Sequence, residues 1–150
     1  MKLSLVVPCY NEAENVAAFQ DAVISAFSGC GYDYEIVFVN DGSTDRSWEV
    51  VERLARENPR VHGVSFRRNY GKSPALFCGF KAAQGDVVIT MDADLQDSPD
   101  EIPELYHMIM DEFDAVVDKC QVTLITDEAE VLKFRDEVAM PRYNARDDRL

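Results

Sequence analysis

The chain has 150 residues, of which 47% are hydrophobic and 10% aromatic; that is enough for one domain with a real core, too little for two ordinary ones, and too apolar for a disordered chain. A formal net charge of −13 excludes nucleic acid as a partner held by bulk attraction, and means that an anionic ligand needs a local cation or backbone N–H groups. "LSLVV" (residues 3–7) reads as a buried strand. "NEAENVAAFQDAVISAF" (11–27) follows as a helix, with Asn11 as cap, Glu14 completing a capping box, and Val16, Phe19, Val23 and Phe27 in one apolar stripe. "YEIVFV" (34–39) is a second strand. Residues 43–58 form a second helix with Trp48, Val51 and Leu54 inward, ended by Asn58-Pro59. "VHGVSF" (61–66) is a third strand. A helix over 73–85 has Ser73 as cap, Pro74 in its first turn and Gly85 closing it. "DVVITM" (86–91) is a fourth strand, and residues 98–113 a fourth helix with Ile102, Leu105, Ile109 and Phe113 on its apolar side. "DAVV" (114–117) is short enough for a fifth strand, while "VTLI" and the spacing of Val131, Phe134 and Val138 suggest a strand and an amphipathic helix in the tail.

Strands alternating with helices predict an α/β fold, a Rossmann-like, mostly parallel sheet with helices on both faces. Cys9, Cys30, Cys78 and Cys120 are far apart and form no CxxC pair, which argues against a zinc site and suits a reduced, cytoplasmic setting. No apolar run approaches the roughly 18 residues of a membrane-spanning helix, and Pro8 cuts the first apolar stretch too early for a secretory leader.

In open α/β sheets, ligands bind beyond the carboxyl ends of the strands. Those ends carry "PCYNE", "NDGSTD", "RRNYGK" and "DADLQD", four polar loops opening on one edge. If residues 92–94 are extended, Asp92 and Asp94 point the same way about 6.6 Å apart, and at an effective dielectric near 20 they repel by roughly 2.5 kcal/mol. A hard divalent cation, Mg²⁺ or Mn²⁺, would relieve that repulsion and bridge to a substrate diphosphate. The bland alternative is loop solvation and helix-terminal charge, which suffices for Asp97, Asp100 and Glu101. Neither GxGxxG nor GxxxxGK[ST] occurs, which argues against a dinucleotide dehydrogenase or P-loop NTPase. A phosphohydrolase using Asp92 as nucleophile would also place DxD after a strand, but it leaves the first two loops without a role.

"VVPCYNEAENV", "VNDGSTDRS", "NYGKSPAL" and "VVITMDADLQDSP" resemble, in order and spacing, the successive signatures of family 2 glycosyltransferases of the GT-A fold. The last two are most similar to the branch that loads a sugar onto dolichyl or undecaprenyl phosphate. The resemblance implies that Pro8, Tyr10 and Glu12 hold the base and ribose of a nucleoside-diphosphate sugar, and that Val39 and Asp41 form a second nucleotide contact. It further implies that Asp92, Ala93 and Asp94 form the DxD element, with Asp94 and Gln96 as metal ligands and Asp92 nearer the ribose. Lys72 stands where a cation could meet a phosphate or remain a solvated surface lysine. The implied partners are a nucleotide sugar and a polyprenyl phosphate at the cytoplasmic face of a membrane; a homo-oligomer is compatible. The implied nucleotide-sugar-binding unit covers residues 1–118. Beyond Val116 the resemblance stops: Asp118, Lys119 and Cys120 stand where such transferases show Gly, any residue and Arg, so residues 119–150 stay unassigned and the acceptor half is truncated or divergent. A donor-binding module without transfer activity is the alternative this leaves open.

Overall fold

The computed structural model describes residues 2–96 and 98–111. β1 (Lys2–Cys9), β2 (Asp33–Asn40), β3 (Val61–Ser65) and β4 (Val87–Thr90) form one sheet in the order β3-β2-β1-β4. Every pairing in it is parallel. Three helices connect the strands: α1 (Ala13–Ala26), α2 (Ser47–Glu57) and α3 (Lys72–Ala82). After β4, a 3₁₀ turn at Pro99–Glu101 leads into α4 (Ile102–Asp111). The expected α/β architecture is therefore observed. The expected strand at 114–117, Phe113 and the tail from 119 lie outside the described residues, as does the side chain of Ile109.

Parallel strands covered on both sides read as continuous apolar runs, and β1 at the centre shows why. Leu3, Leu5 and Val7 face Phe19, Val23, Val51, Leu54, Ile102 and Tyr106, the buried stripes of α1, α2 and α4. Val6 turns the other way, joining Val37, Val39 and Ala75 beneath α3. Among the described residues, three helices thus cover one face and α3 the other. Gly79 lets α3 lie close, because a Cβ there would strike the Val6 side chain.

β1, β2 and β3 step outward in one direction, and the α3 crossover then returns the chain to pair β4 on the far side of β1. The strand order reverses between β1 and β4, and the carboxyl ends open a crevice there.

Several sequence expectations need correction. α3 begins at Lys72 with Gly71, at φ +97°, in the cap position, so Ser73 is inside the helix and caps nothing. It ends at Ala83, which is extended, so Gly85 does not close it; Gly85 instead donates its N–H to Ser4 Oγ at 2.8 Å. In α4, Leu105 is exposed and Tyr106 is buried against Tyr32, ring edge to face at 4.9 Å. Ile102 is buried as expected, but one turn on it is Tyr106 rather than Leu105 that continues the inward side. Ser98 does cap the 3₁₀ turn before α4, accepting from Asp100 N.

At the amino ends of the strands sits one fully buried carboxylate, Glu35. It accepts from Ser4 Oγ and from Gln84 N, both at 2.6 Å. Lys2 Nζ lies 2.6 Å and His62 Nε2 3.5 Å from its other oxygen. Burial pushes the Glu35 carboxyl up, but the bonds from Lys2, Ser4 and Gln84 together outweigh it and hold the group below its ordinary 4.5. The folded chain therefore binds this proton less readily than the unfolded one. The stabilisation is complete above pH 4.5 and is lost as the pH falls below it. Glu35→Gln is expected to cost about 2 kcal/mol at neutral pH. Urea unfolding of both proteins at stepwise lower pH should show that gap narrowing below pH 4.5; a constant gap would contradict the assignment.

Candidate active site

The four loops at the carboxyl ends enclose an open cleft of about 320 Å³ where the strand order reverses. Pro8, Cys9, Tyr10 and Glu12 line it after β1, Asp41 after β2, Asn69, Gly71, Lys72 and Ala75 around the start of α3, and Asp92, Ala93 and Asp94 after β4. Eight of the ten residues singled out in the sequence meet here: Pro8, Tyr10, Glu12, Asp41, Lys72, Asp92, Ala93 and Asp94. Val39 does not line the cleft; its side chain is buried in the core beneath α3. Gln96 is also outside the lining and exposed. Cys9, Asn69, Gly71 and Ala75 are not among the ten, although all four sit inside segments that resemble the family signatures.

The loops after β1 and β2 interlock. Asn11 is not the helix cap expected of it: at φ +55° it precedes Glu12, which occupies that position without a side-chain capping bond. Asn11 Oδ1 instead accepts from the N–H groups of Thr44 and Asp45 at 2.9 and 3.3 Å. In return, the N–H groups at the start of α1 find acceptors in the second loop and at the first residue of α2. Asn11 N donates to Ser43 Oγ (2.9 Å), Glu12 N to Ser47 Oγ (2.8 Å) and Ala13 N to Asp45 Oδ2 (3.3 Å). A helix start leaves four such donors without intrahelical partners, and here a neighbouring loop and the first residue of α2 supply the acceptors. Glu12 is steered in turn, its Oε2 accepting from Asn15 Nδ2 at 2.6 Å.

Asp41 is buried at the end of β2, its N–H donating to Cys9 O at 2.9 Å. Its carboxylate accepts from Tyr70 N (Oδ1, 2.7 Å) and Gly71 N (Oδ2, 2.8 Å). Both oxygens therefore organise the loop before α3. Gly42, at φ +66°, supports this arrangement: a Cβ there would collide with the Arg68 backbone. Arg68 lies over the Tyr70 ring, 4.8 Å from its centroid. The Cys9 thiol is pushed up to about 12 by burial and by the neighbouring Glu12, Asp45 and Asp41 carboxylates, so it stays protonated and is no nucleophile.

The DxD segment departs from its expected geometry. β4 stops at Thr90, and Met91 N to Val6 O is the last bond to the sheet. Residues 92–96 then turn, with Leu95 at φ +60°, so Asp92 and Asp94 are not side by side along an extended strand. Each has its own partner. Asp94 Oδ1 accepts from Gln96 N at 3.1 Å, and Asp92 receives Lys72 Nζ on both oxygens at 2.7 and 2.8 Å. Lys72 supplies the counter-charge that the sequence reading assigned to a metal.

A divalent cation still fits these donors. Asp92 and Asp94 are hard oxygen ligands at the cleft, and among the described residues no group of three or more His, Cys, Asp or Glu side chains forms a protein cage. Such a site suits Mg²⁺ or Mn²⁺ held by one or two carboxylates, with phosphate and water oxygens completing the shell.

The sequence profile of glycosyl transferase family 2 matches residues 4–147. The chain is 44% identical over 115 residues to the undecaprenyl-phosphate 4-deoxy-4-formamido-L-arabinose transferase of Edwardsiella ictaluri, covering 76% of this chain and 35% of that one. It is 48% identical over 105 residues to the bactoprenol glucosyl transferase of Shigella phage SfV, covering 70% and 34%. The chain thus spans about a third of the length of the curated relatives it matches. Among solved structures, the mannosyltransferase PcManGT of Pyrobaculum calidifontis, in complex with GDP-Man and Mn²⁺, superposes with a TM-score of 0.62 at 28% identity, covering 73% of this chain and 32% of that chain.

The bonds of Asp41 change what its removal should do. Asp41→Ala leaves the N–H groups of Tyr70 and Gly71 without acceptors, at a cost of about 2 kcal/mol, which for a chain of this size lowers the melting temperature by about 4–8 °C. Hydrogen exchange should localise the change, with the amides of Tyr70 and Gly71 losing protection while those of β1 keep theirs. An unchanged melting temperature with both amides still protected would show that Asp41 does not hold this loop.

Proposed function

The chain belongs to glycosyl transferase family 2, and from that premise we propose that its cleft binds a nucleoside-diphosphate sugar through Mg²⁺ or Mn²⁺ for transfer of the sugar to a polyprenyl phosphate. One observation carries the reading: residues from four separate signatures, 8 to 94 in the chain, converge on a single cleft at the strand-order reversal. A phosphohydrolase would have no use for that convergence.

In this reading the roles follow from chemistry and position. Tyr10, 45% exposed at the mouth, offers a ring face to a base or ribose. Pro8 shapes the wall beside it, and Glu12, held by Asn15, can accept from ribose hydroxyls. Asp41 contributes through the loop it holds, and Val39 through the core behind it. Asp94, which accepts on one oxygen from Gln96 N, is the carboxylate best placed to hold a cation, with Gln96 next to it. Ala93 keeps the floor of the cleft small. When bound, the cation neutralises charge developing on the departing nucleoside diphosphate. A polyprenyl phosphate is already anionic, so its oxygen needs no general base to attack the anomeric carbon, and none is assigned. The donor unit is taken as residues 1–118.

The lipid acceptor would place the protein peripherally at the cytoplasmic face of a membrane. Among the described residues, no helix is long and apolar enough to cross one.

Calorimetric titration with UDP and GDP tests the site. Binding is expected in Mn²⁺ or Mg²⁺ and not in excess EDTA, and Asp94→Ala should weaken it at least tenfold, the size of a lost charge-assisted contact of about 1.5–3 kcal/mol. Equal affinity with and without metal would refute the metal-bridged reading.

A further inference from the structure

Among the described residues that line the cleft, four are carboxylates (Glu12, Asp41, Asp92 and Asp94) and one is a cation, Lys72. The carboxylates are not equivalent. Asp41 is satisfied by two backbone N–H groups, Glu12 by the Asn15 amide and Asp94 by one backbone N–H. Asp92 alone is answered by a full opposite charge, taken on both oxygens at 2.7 and 2.8 Å. Its partner stands on a fixed base: Lys72 is the first residue of α3, directly after Gly71, whose N–H is held by Asp41. The pair itself is loose, however, because the two side chains are 60% and 49% exposed, and a solvent-exposed ion pair holds weakly.

We propose that Lys72 is an exchangeable counter-ion: it occupies Asp92 while the cleft is empty and transfers to the diphosphate when cation and nucleotide enter together. This rests on the reading of the cleft as a diphosphate site. Two consequences follow from charge alone. While Lys72 sits on Asp92, a divalent cation approaching the carboxylates meets a positive charge already there, so the cation by itself binds poorly. Once a diphosphate is present, the same ammonium has a better partner than a lone carboxylate and leaves Asp92 free to face the cation. The cleft then favours the cation and the diphosphate as a pair over either alone. Among the described residues there is no three-ligand cage, which fits a site that shares its cation with a diphosphate. Lys72 is in this sense a positioning residue for Asp92 as well as a phosphate contact.

The signature is a pair of opposite shifts, which neither a purely structural lysine nor a simple phosphate contact would produce. Lys72→Met keeps the apolar stem and removes the charge. Free Mn²⁺ measured by electron paramagnetic resonance, without nucleotide, should show the variant binding Mn²⁺ roughly two- to fivefold more tightly than the parent, the worth of one exposed ion pair. Calorimetry in saturating Mn²⁺ should show the same variant binding UDP or GDP about tenfold more weakly. Lys72→Arg, which keeps the charge, should return both affinities toward the parent's. If Lys72→Met leaves Mn²⁺ binding unchanged or weaker, or moves both affinities in one direction, the exchange is wrong even though the diphosphate site stands. If the parent protein binds neither UDP nor GDP in Mn²⁺, the reading of the cleft falls, and the exchange with it.

Discussion

The carboxylate of Asp41 gives both of its oxygens to the backbone N–H groups of Tyr70 and Gly71, and much of the cleft depends on that. The loop it holds runs from the end of β3 into α3, and Lys72 is the first helical residue after it. Asp92, on the next strand-end loop, is then met by Lys72. A residue at the end of β2 thus sets, through one loop and one side chain, the surroundings of a residue at the end of β4. Gly42 belongs to the same constraint, because only a residue without a Cβ lets the Arg68 backbone come so near.

β2 exerts a matching hold at the opposite end. Glu35 accepts from Gln84 N just after α3, as Asp41 accepts just before it. Among the described residues α3 is the helix that covers this face of the sheet, and it is tied at both ends by acids of β2 and the residue just after it. The two ties are chemically different. Glu35 is sealed from solvent and needs a lysine beside it, since a buried charge without a partner is costly. Asp41 meets backbone dipoles. In a chain of net charge −13, these acids do not simply add to surface repulsion; they are fasteners.

The sequence disclosed the sheet well, because parallel strands buried on both faces must be nearly continuous apolar runs, and "LSLVV" and "YEIVFV" are such runs. It also disclosed the cleft, because polar residues clustered after each strand have one common edge to open on. What it concealed depends on contacts between distant segments. Asn11 has the local look of a cap, yet its amide serves a loop more than 30 residues away. Asp41 was expected as a nucleotide contact, and nothing local announces that its carboxylate also holds backbone N–H groups about 30 residues on. Asp92 and Asp94 repel on paper only if the chain stays extended, and nothing local announces that β4 ends at Thr90 or that Leu95 turns left-handed. On α4 both Leu105 and Tyr106 lie within one turn of Ile102, and Tyr106 is the one that packs against the distant Tyr32 ring, a contact that periodicity does not show.

The interlock between the first two strand-end loops has a consequence for how such sequences can vary. Asn11, Ser43, Asp45 and Ser47 exchange hydrogen bonds across the gap between two loops, so each residue's usefulness is conditional on the others. Replacing one strands donors or acceptors belonging to the rest, and neighbours that share partners in this way do not respond independently to substitution. Drift at these positions should be tolerated mainly as joint replacement. The two loops would then be inherited as one block of sequence in two pieces, and grafting either one alone onto a related scaffold would transplant half of a joint.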